Sequence, residues 1–502
     1  MMSKSSSQKR ISIDLLMQHS GIRFGTSGVR GIADDMTDEL CYAYALGFIQ
    51  YLEENGHLEY GDTIAIGGDL RSSSDRIMRA VARAIVDRGY RVENCGTLPS
   101  PALAYYGFLK KMPTAMVTGS HIPEDRNGIK FTKKTGEILK SDEAGIRHQV
   151  VTYADQLFDR HGMFSTEPLE LPVHNAAIEL YIKRYVSYFP GNCLENKKIG
   201  VYQHSSVARD LMVTILSELG AEVMPLGLSE TFVPVDTEAI RPEDEALARN
   251  WAEQYRFDAI VSTDGDGDRP LISDETGKWL RGDIAGILCA AYLNVAAVVV
   301  PVSCNTAVEK SGFFEKVIRT KIGSPYVIEK MEEALHNDAH IVAGYEANGG
   351  FLLGSDIFSE GKYLNALPTR DAMIVILSLL LLSVEKNKTI RELVAELPER
   401  HTFSNRLENF PPDKSTVILN DISALGKQEK INKVESIFGQ HFGSVVMIDH
   451  TDGLRITFEN DEIIHLRPSG NAPELRCYAE ASSETRAFEM VSTCMGIMNT
   501  WR

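Results

Sequence analysis

Three aspartates in one short loop carry the most specific chemical signal in the sequence. Asp264, Asp266 and Asp268 alternate with glycines directly after an apolar run, and Arg269 follows them. Carboxylates at alternate positions of a glycine-rich loop can turn inward and offer oxygen ligands to a divalent cation, and without a cation they would repel one another. An EF-hand is excluded because its sixth loop position, which should be glycine, is Arg269, and because a predicted strand precedes the loop. The loop therefore predicts a metal site, with Mg²⁺ preferred because it combines few carboxylates with phosphate oxygens.

A serine follows another predicted strand. Ser120 comes shortly after the apolar run 114–117, with His121 next to it and Lys130 within loop reach. A serine hydroxyl becomes a nucleophile when a base is near and a cation stabilises the developing charge, so this group predicts an activated nucleophile. Acyl hydrolysis is disfavoured, because no G-x-S-x-G elbow surrounds the serine.

Two further loops offer groups that suit a phosphorylated sugar. Glu346 and Asn348 lie in a glycine-bearing loop, and a carboxylate beside an amide can accept hydrogen bonds from adjacent hydroxyl groups. Near the C-terminus, two arginines flank a glycine turn, which is typical of a phosphate site. The members of that predicted phosphate cradle are Arg467, Ser469, Gly470, Asn471 and Arg476. A nucleophile, a hard cation, a hydroxyl-reading loop and a phosphate cradle together predict phosphoryl transfer to and from a sugar.

The segments that must position these loops alternate between short β-branched runs and longer runs with helical spacing. This alternation covers about the first four-fifths of the chain and predicts sheets with helices on both faces. The predicted strands 114–117, 258–261 and 340–343 each end in one of the polar loops, and ligands of open α/β sheets bind beyond the carboxyl ends of strands. After about residue 397 a hairpin, a further strand and a closing amphipathic helix predict an α+β module that could close over the cleft.

Composition bounds the class of protein. A chain of 502 residues with 43% hydrophobic and 24% charged residues predicts about three to four globular domains. The net charge of -17 argues against nucleic acid or an acidic membrane surface as a partner. Seven scattered cysteines without a C-x-x-C pair indicate a reducing compartment. The polar N-terminus lacks a signal core, and the apolar runs 287–302 and 372–384 suit buried elements rather than membrane spans, so we expect a cytoplasmic protein.

With these motifs in the family's order, the sequence resembles the α-D-phosphohexomutase superfamily, most closely its bacterial phosphomannomutase/phosphoglucomutase members, over essentially the whole chain. The resemblance implies three similar mixed α/β-sheet domains plus a C-terminal α+β domain around a central cleft. The implied domains are a phosphoserine domain (1–157), a metal-binding domain (158–277), a sugar-recognition domain (278–398) and a phosphate-binding domain (399–502).

The resemblance also implies a role for each motif. Ser120 would carry the phosphoryl group and, with the three aspartates, ligate Mg²⁺. Lys130 and His121 would be acid–base candidates, and Arg30 and Arg269 would support the phosphoserine region. Glu346 and Asn348 would read sugar hydroxyls, and the cradle would hold the phosphate that does not react. The implied cycle passes through a hexose 1,6-bisphosphate, which would also serve as the primer.

Several positions depart from the family pattern. Ile122 stands where asparagine is usual and Gly119 where alanine is common, while Asn471 and Ala472 replace a Thr-Glu pair. Gly350 and Ser324 stand where histidine is frequent, in the region that sets the preferred sugar.

The resemblance favours a phosphomannomutase that interconverts mannose 6-phosphate and mannose 1-phosphate. The alternatives within the class are a phosphoglucomutase or dual-specificity glucose/mannose enzyme and, less favoured, a phosphoglucosamine mutase. From another class, the chain could be a non-catalytic sugar-phosphate-binding protein, against which the intact Ser120, Lys130 and aspartates argue. We expect a phosphorylated hexose as the partner and a monomer or homodimer.

Overall fold

The computed structural model describes residues 7–167, 169–337, 340–469 and 473–502. The N-terminal unit is built on a sheet of seven strands, with a separate antiparallel pair formed by the first and last strands of the unit. Its elements are β1 (Gln8–Ser12), α1 (Ile13–Ser20), β2 (Arg23–Phe24), β3 (Gly28–Ile32), α2 (Asp38–Glu54), β4 (Thr63–Gly68), α3 (Ser74–Asp87), β5 (Arg91–Thr97), α4 (Ser100–Lys110), β6 (Thr114–Val117), β7 (Arg126–Lys133), β8 (Gly136–Glu137), α5 (Lys140–Arg147) and β9 (Val150–Ala154).

The order of strands in this sheet places the serine loop at one edge of a parallel core. The path is β2-β3-β7-β6-β4-β5, with β8 paired to β7. β4 is parallel to β5 and β6, whereas β7 is antiparallel to both β6 and β3. The loop that holds Ser120 connects β6 to its antiparallel neighbour β7.

The second and third units repeat this arrangement with shorter sheets. The second contains α6 (Ala176–Tyr188), β10 (Lys198–His204), α7 (Arg209–Glu218), β11 (Glu222–Leu228), α8 (Pro242–Tyr255), β12 (Ala259–Thr263) and β13 (Pro270–Ile272). The third contains α9 (Gly282–Tyr292), β14 (Ala297–Pro301), α10 (Ala307–Lys310), β15 (Lys316–Thr320), α11 (Ser324–His336), β16 (Val342–Tyr345), β17 (Phe351–Leu353), β18 (Ile357–Ser359), β19 (Lys362–Leu364), α12 (Ala372–Lys386) and α13 (Ile390–Ala395).

Both sheets hold three parallel strands and one antiparallel edge strand. Their orders are β11-β10-β12-β13 and β15-β14-β16-β17, with β13 antiparallel to β12 and β17 antiparallel to β16. The aspartate loop connects β12 to β13, and the Glu346 loop connects β16 to β17. The three loops that carry predicted site residues therefore occupy equivalent places, each between a parallel strand and its antiparallel neighbour.

The C-terminal unit has a different architecture. Its antiparallel sheet runs in the order β20-β24-β23-β22-β21. Its elements are β20 (His401–Glu408), α14 (Pro412–Ser423), α15 (Lys427–Phe442), β21 (Val445–Asp449), β22 (Leu454–Phe458), β23 (Ile463–Pro468), β24 (Glu474–Ala481) and α16 (Glu484–Asn499).

One hydrophobic core joins the first three units. It includes residues of α4, α6, α7 and α9, together with α12, whose residues from Ala372 to Ser383 are all buried. Burial explains the apolar run there, and no helix in the described ranges is long and apolar enough to cross a membrane. The predicted fold class is confirmed, with three α/β units and an α+β unit. The exact domain boundaries remain predictions.

Candidate active site

Ser120 and the aspartate loop meet although they belong to different units. Ser120 Oγ donates a hydrogen bond to Asp264 Oδ2 at 2.6 Å, and Lys130 Nζ lies 2.6 Å from both Asp266 Oδ2 and Asp268 Oδ2. Both β6 and β12 end here, so the meeting follows from the position of each loop at the carboxyl end of a parallel strand. The structure therefore brings together Ser120, the predicted nucleophile, Lys130, the predicted cationic side chain, and the three aspartates predicted to bind metal.

The serine loop is held in a conformation that few residues adopt. Ser120 has a φ of +57° and is 1% exposed. A positive φ disfavours non-glycine residues, so the surrounding structure must hold it. Arg71 Nη2 donates to the Ser120 carbonyl oxygen at 2.9 Å, and Thr118 Oγ1 accepts from the Ser120 amide at 2.7 Å. Asp69 in turn accepts hydrogen bonds from Arg71 and from Thr118 Oγ1.

The aspartate cluster has the chemistry of a cation site. One carboxylate oxygen from each of Asp264, Asp266 and Asp268 lies within 4.8 Å of the others, and all three side chains are buried. Asp266 Oδ1 and Asp268 Oδ1 have no hydrogen-bond partner in the part of the chain described. Buried carboxylate oxygens are costly without a partner, so the donor set fits a hard divalent cation.

The electrostatics of the cluster support the same conclusion. Burial, added to the charges of Asp266 and Asp268, raises the pKa of Asp264 well above its usual value. Burial would also raise the pKa of Asp266, but the ammonium of Lys130 outweighs it and lowers that pKa. For Lys130, burial lowers the pKa while the carboxylates of Asp266 and Asp268 raise it, and the net shift is upward. Arg269 Nε is a second nearby cation, 3.9 Å from Asp264 Oδ2 and 3.7 Å from Asp268 Oδ1. Three carboxylates therefore face two cations, which leaves room for the charge of a metal ion.

His121 is neutral in this arrangement. Its Nδ1 accepts a hydrogen bond from Arg269 Nη1 at 2.9 Å and lies 3.4 Å from Ser120 Oγ. Burial, together with the guanidinium groups of Arg269 and Arg30, lowers the pKa of His121 to about 2. A base of this strength attracts a proton only weakly near neutral pH.

Arg30 lies on β3, next to the strand that carries Lys130. It faces Gly128 in the β3–β7 register, and a Cβ added at Gly128 would lie 2.9 Å from Arg30 Cγ. Burial and the charge of Arg269 lower the pKa of Arg30 to about 10. The guanidinium remains positively charged near neutral pH, and it has no ion pair among the described residues.

The loop of Glu346 and Asn348, which is predicted to bind sugar hydroxyls and is called the sugar loop below, is buried and joined to an arginine that the sequence did not single out. Glu346 Oε2 accepts a hydrogen bond from Arg370 Nε. The loop closes on itself through Asn348 Oδ1, which accepts from the Gly350 amide at 2.9 Å, while the Asn348 carbonyl accepts from Thr237 Oγ1 at 2.8 Å. The side-chain nitrogen of Asn348, Nδ2, donates to no residue in the described ranges, so it could donate to a ligand.

The predicted phosphate cradle lies on β23 and β24. Arg467 and Arg476 face each other in the register of these strands. Arg467 Nε is 2.9 Å from Asp452 Oδ2, and Arg476 pairs with Glu474. Ser469 is buried, and its amide donates to the Glu474 carbonyl at 2.9 Å. Gly470 and Asn471 lie outside the described residues. Two arginines directly opposite each other repel, which suits a site for an anion.

No hydrogen bond or ion pair between described residues joins this cradle to the loops of Ser120 or Asp264. Its link to the third unit is indirect: Asp452, the carboxylate that pairs with Arg467, also accepts from the Ile322 amide through Oδ2 at 3.0 Å.

Three supporting residues escaped prediction as site residues. Arg71 lies in the turn between β4 and α3, and the sequence does not predict that this turn contacts the loop of Ser120. Ser100 donates to Asp266 Oδ2, but serines at helix starts are common. Glu137 accepts hydrogen bonds from Ser27 Oγ at 2.8 Å, from Ser324 Oγ at 3.3 Å and from Thr369 Oγ1, so it joins the first and third units.

Comparison with known proteins decides the family. The four domain families described as phosphoglucomutase/phosphomannomutase alpha/beta/alpha domains I, II and III and C-terminal domain match residues 21–156, 180–277, 281–401 and 421–492, respectively. The chain belongs to the phosphoglucomutase/phosphomannomutase family. The predicted resemblance and the predicted class, an intramolecular phosphotransferase, are confirmed by this membership.

Individual relatives cover nearly the whole chain. A phosphomannomutase from Salmonella muenchen is 46% identical over 96% of both chains. Another from Sinorhizobium fredii is 42% identical over 96% of this chain and 99% of that protein. A phosphoglucosamine mutase from Carboxydothermus hydrogenoformans is 27% identical over 95% of this chain and 99% of that protein. A phosphoglucomutase/phosphomannomutase family protein from Burkholderia thailandensis has the same fold, with a TM-score of 0.72, 17% identity and 98% coverage of both chains.

Proposed function

We propose that this protein is a phosphomannomutase that interconverts mannose 6-phosphate and mannose 1-phosphate. The observation that carries the proposal is the contact of 2.6 Å between Ser120 Oγ and one carboxylate of a buried cluster of three, with Lys130 on the other two. The choice of mannose is supported by relatives named phosphomannomutase at 46% and 42% identity, against 27% for a phosphoglucosamine mutase.

In the proposed cycle Ser120 carries a phosphoryl group between two oxygens of one hexose. The bond between phosphorus and Ser120 Oγ breaks as the free sugar hydroxyl forms a bond to phosphorus and gives up its proton. The hexose 1,6-bisphosphate then turns around, and Ser120 Oγ takes the other phosphoryl group while the released sugar oxygen gains a proton. The bisphosphate also acts as the primer that phosphorylates a fresh enzyme.

The proposed cation is Mg²⁺, held by Asp264, Asp266, Asp268 and an oxygen on Ser120. When bound, it would neutralise charge on the phosphoryl group in transfer. Residues around the cation would take part in proton transfer. Lys130 is the acid–base candidate for the sugar oxygen, because its ammonium carries a proton at the centre of the site. Asp264 Oδ2 accepts a hydrogen bond from the Ser120 hydroxyl group and is well placed to take its proton.

We assign His121 a positioning role, since its low pKa makes it a poor base and its Nδ1 already accepts from Arg269. Arg30 and Arg269 then supply positive charge beside the phosphoserine. Glu346 and Asn348 read the sugar hydroxyls, and the cradle of Arg467, Ser469, Gly470, Asn471 and Arg476 holds the phosphate that does not react. A cytoplasmic location and a monomeric or homodimeric state stay predictions.

The test compares the wild type with Ser120→Ala and, as a matched control, Ser72→Ala, an exposed serine of the same unit. Intact mass should show a phosphoryl group on the wild type and the control that substrate removes, and none on Ser120→Ala. Turnover of mannose, glucose and glucosamine 1-phosphates with Mg²⁺ and a bisphosphate primer gives the sugar preference. Full activity of Ser120→Ala would refute the nucleophile, and preference for another hexose would refute the choice of mannose. Binding of hexose phosphate without turnover would identify a non-catalytic binder.

A further inference from the structure

Arg71 binds the backbone of the serine loop, and its side chain is completely buried. Its Nη2 donates to the carbonyl oxygens of Ser120 and Ile122, and its Nη1 pairs with Asp69. Its Nε has no hydrogen-bond partner among the described residues. A buried cation is costly unless its surroundings compensate for the water that it loses. The guanidinium therefore needs a stabilising contact beyond its hydrogen bonds.

An aromatic ring of the second unit supplies that contact. The centre of the Phe232 ring lies 3.9 Å from Arg71 Cζ, which is a close cation–π contact. Phe232 belongs to the segment 229–241, which connects β11 to α8, and it is partly buried. A cation–π contact is strongest where the cation is shielded from water, and Arg71 is shielded completely. The second unit thus contacts the residue that binds the Ser120 carbonyl group.

The same ring packs against the aspartate loop. A Cβ added at Gly265 would lie 2.9 Å from Phe232 Cζ and 2.8 Å from the Ser120 carbonyl oxygen. Gly265 stands between Asp264 and Asp266, two of the predicted metal ligands. The ring, the backbone of the aspartate loop and the carbonyl group of the nucleophile therefore meet at one place.

The backbone that carries Phe232 is held at two points. Ser205 Oγ accepts a hydrogen bond from the Val233 amide at 2.7 Å and donates to the Val233 carbonyl oxygen at 3.4 Å. Further along the segment, Thr237 Oγ1 donates to the Asn348 carbonyl oxygen at 2.8 Å, which joins the segment to the sugar loop. The position of the ring is therefore fixed independently of its contact with Arg71.

We propose that Phe232 is a positioning residue for phosphoryl transfer, whose ring holds the Arg71 guanidinium against the carbonyl oxygens of the serine loop. Ser120 has a φ of +57°, a conformation that its surroundings must impose. The second unit would then supply the metal ligands and, through Phe232, the conformation of the nucleophile. Ser120 would be in position for transfer only while the second unit is docked on the first. The inference rests on the proposed function and deepens it.

The first experiment measures kcat and KM for mannose 1-phosphate with Phe232→Leu, in which the side chain stays apolar but loses its π face. Loss of a shielded cation–π contact should lower kcat by about 10- to 30-fold. KM should stay within about twofold of the wild type, because the ring acts on the nucleophile and not on the substrate. The rate at which hexose 1,6-bisphosphate phosphorylates Ser120, followed by intact mass, should fall by a similar factor.

Phe164→Leu is the matched control. Phe164 is also partly buried and lies over an arginine, with its ring centre 6.0 Å from Arg83 Cζ, but its ring packs with Tyr42 and Phe158. This variant should keep the kcat of the wild type. An equal fall of kcat in both variants would show a general effect of losing an aromatic ring and would overturn the inference.

The second experiment needs no substrate. Hydrogen exchange of the amides of residues 118–122 should become faster in Phe232→Leu and stay unchanged in Phe164→Leu, because a loop that loses a support opens more often. Exchange and kcat equal to those of the wild type would overturn the inference. A raised KM with an unchanged kcat would also overturn it, since the ring would then act on the substrate.

A further variant, Ser205→Ala, serves if Phe232→Leu does not fold. It keeps the ring but removes the hydroxyl group that fixes Val233, so kcat should fall by about 3- to 5-fold and exchange of residues 118–122 should become faster. No change in either measurement would contradict the positioning role. If the wild type turns over no hexose phosphate, the proposed function fails, and the exchange measurement still decides whether Phe232 holds the serine loop.

Discussion

Replacing Lys130 with methionine should make the stability of the protein depend more strongly on magnesium. The ammonium of Lys130 is the only side-chain hydrogen-bonding cation that Asp266 and Asp268 have among the described residues, at 2.6 Å from each. Methionine keeps the length and apolar stem of the lysine but removes the ammonium from both buried carboxylates. Asp266 then keeps the neutral Ser100 hydroxyl, and Asp268 keeps Arg269, whose Nε is 3.7 Å from Oδ1. A metal ion or a proton can replace the lost charge.

The geometry sets the size of the effect. At an effective dielectric constant near 20, each contact of 2.6 Å has a gross Coulomb attraction of roughly 6 kcal/mol, most of which offsets the cost of desolvating three charged groups. Removing one partner of a buried ion pair typically costs about 3–5 kcal/mol, which we expect for Lys130→Met in EDTA. Mg²⁺ at a hundred times its dissociation constant adds about 2.7 kcal/mol to the folded state, so it should recover most of the loss.

Lys133→Met is the matched control. Lys133 lies on the same strand, β7, and its Nζ is 2.6 Å from Asp142 Oδ2, with similar burial of both partners. Urea unfolding of both variants, with EDTA and with Mg²⁺, measures the two free energies. Lys133→Met should lose the same free energy under both conditions and keep mutase activity, whereas Lys130→Met should lose activity under both. Both variants keep the three aspartates, so the absence of any stabilisation by Mg²⁺ in both would refute the assignment of the aspartates to a cation.

Three other predictions concern buried residues that support the candidate site. Burial lowers the pKa of His465 from 6.5 to about 4. Between these values the unfolded chain binds a proton that the folded protein does not, so the free energy of unfolding should fall by about 1.4 kcal/mol per pH unit as the pH drops. His465→Gln should flatten that slope in urea unfolding, and an unchanged slope would contradict the burial argument. Glu137→Ala leaves three hydroxyl groups without their acceptor, so it should cost about 2–3 kcal/mol and raise KM more than it lowers kcat. Glu143→Ala, which removes a partly buried carboxylate of the same unit that pairs with Lys140, should do neither. A KM equal to that of the wild type would contradict this role. Gly28→Ala would place a Cβ 1.9 Å from a carbonyl oxygen of β7, so the protein should lose stability and activity together, while Gly191→Ala, which meets nothing within 4 Å, should leave thermal unfolding unchanged.

The loops of the site could be predicted because each follows a short apolar run. The runs 114–117, 258–261 and 340–343 correspond to β6, β12 and β16, shifted by no more than two residues. Apolar runs bounded by glycine and polar residues report strands, and strands in an α/β sheet deliver their loops to one edge. The hairpin of β22 and β23 and the closing helix α16 also follow the prediction.

The supports of the site could not be predicted, because their partners are distant in sequence. Arg71 acts on the carbonyl of Ser120 and Glu137 on Thr369, and no local pattern marks either pair. Arg370 lies just before the apolar run of α12, and the sequence of that run indicates a buried helix without indicating a partner for the arginine. The hydrogen-bond partners of such buried polar residues are set only when the units pack, so sequence periodicity carries no trace of them.

The negative net charge of the chain makes a divalent cation on the aspartate cluster essential to the proposed function. A net charge of -17 repels a hexose phosphate at long range, although at physiological ionic strength this repulsion is screened beyond about 8 Å. In the proposed function, capture of the anion therefore depends on local cations. These are Arg467 and Arg476 of the cradle and, near the aspartates, Arg30, Lys130, Arg269 and Arg370. Three of the cations near the aspartates are engaged by carboxylates, Lys130 and Arg269 by the aspartate cluster and Arg370 by Glu346. A divalent ion bound to the aspartate cluster would neutralise its negative charge. The positive charge of the neighbouring lysine and arginines could then attract the substrate phosphate, which explains how a site lined with aspartates can hold an anion.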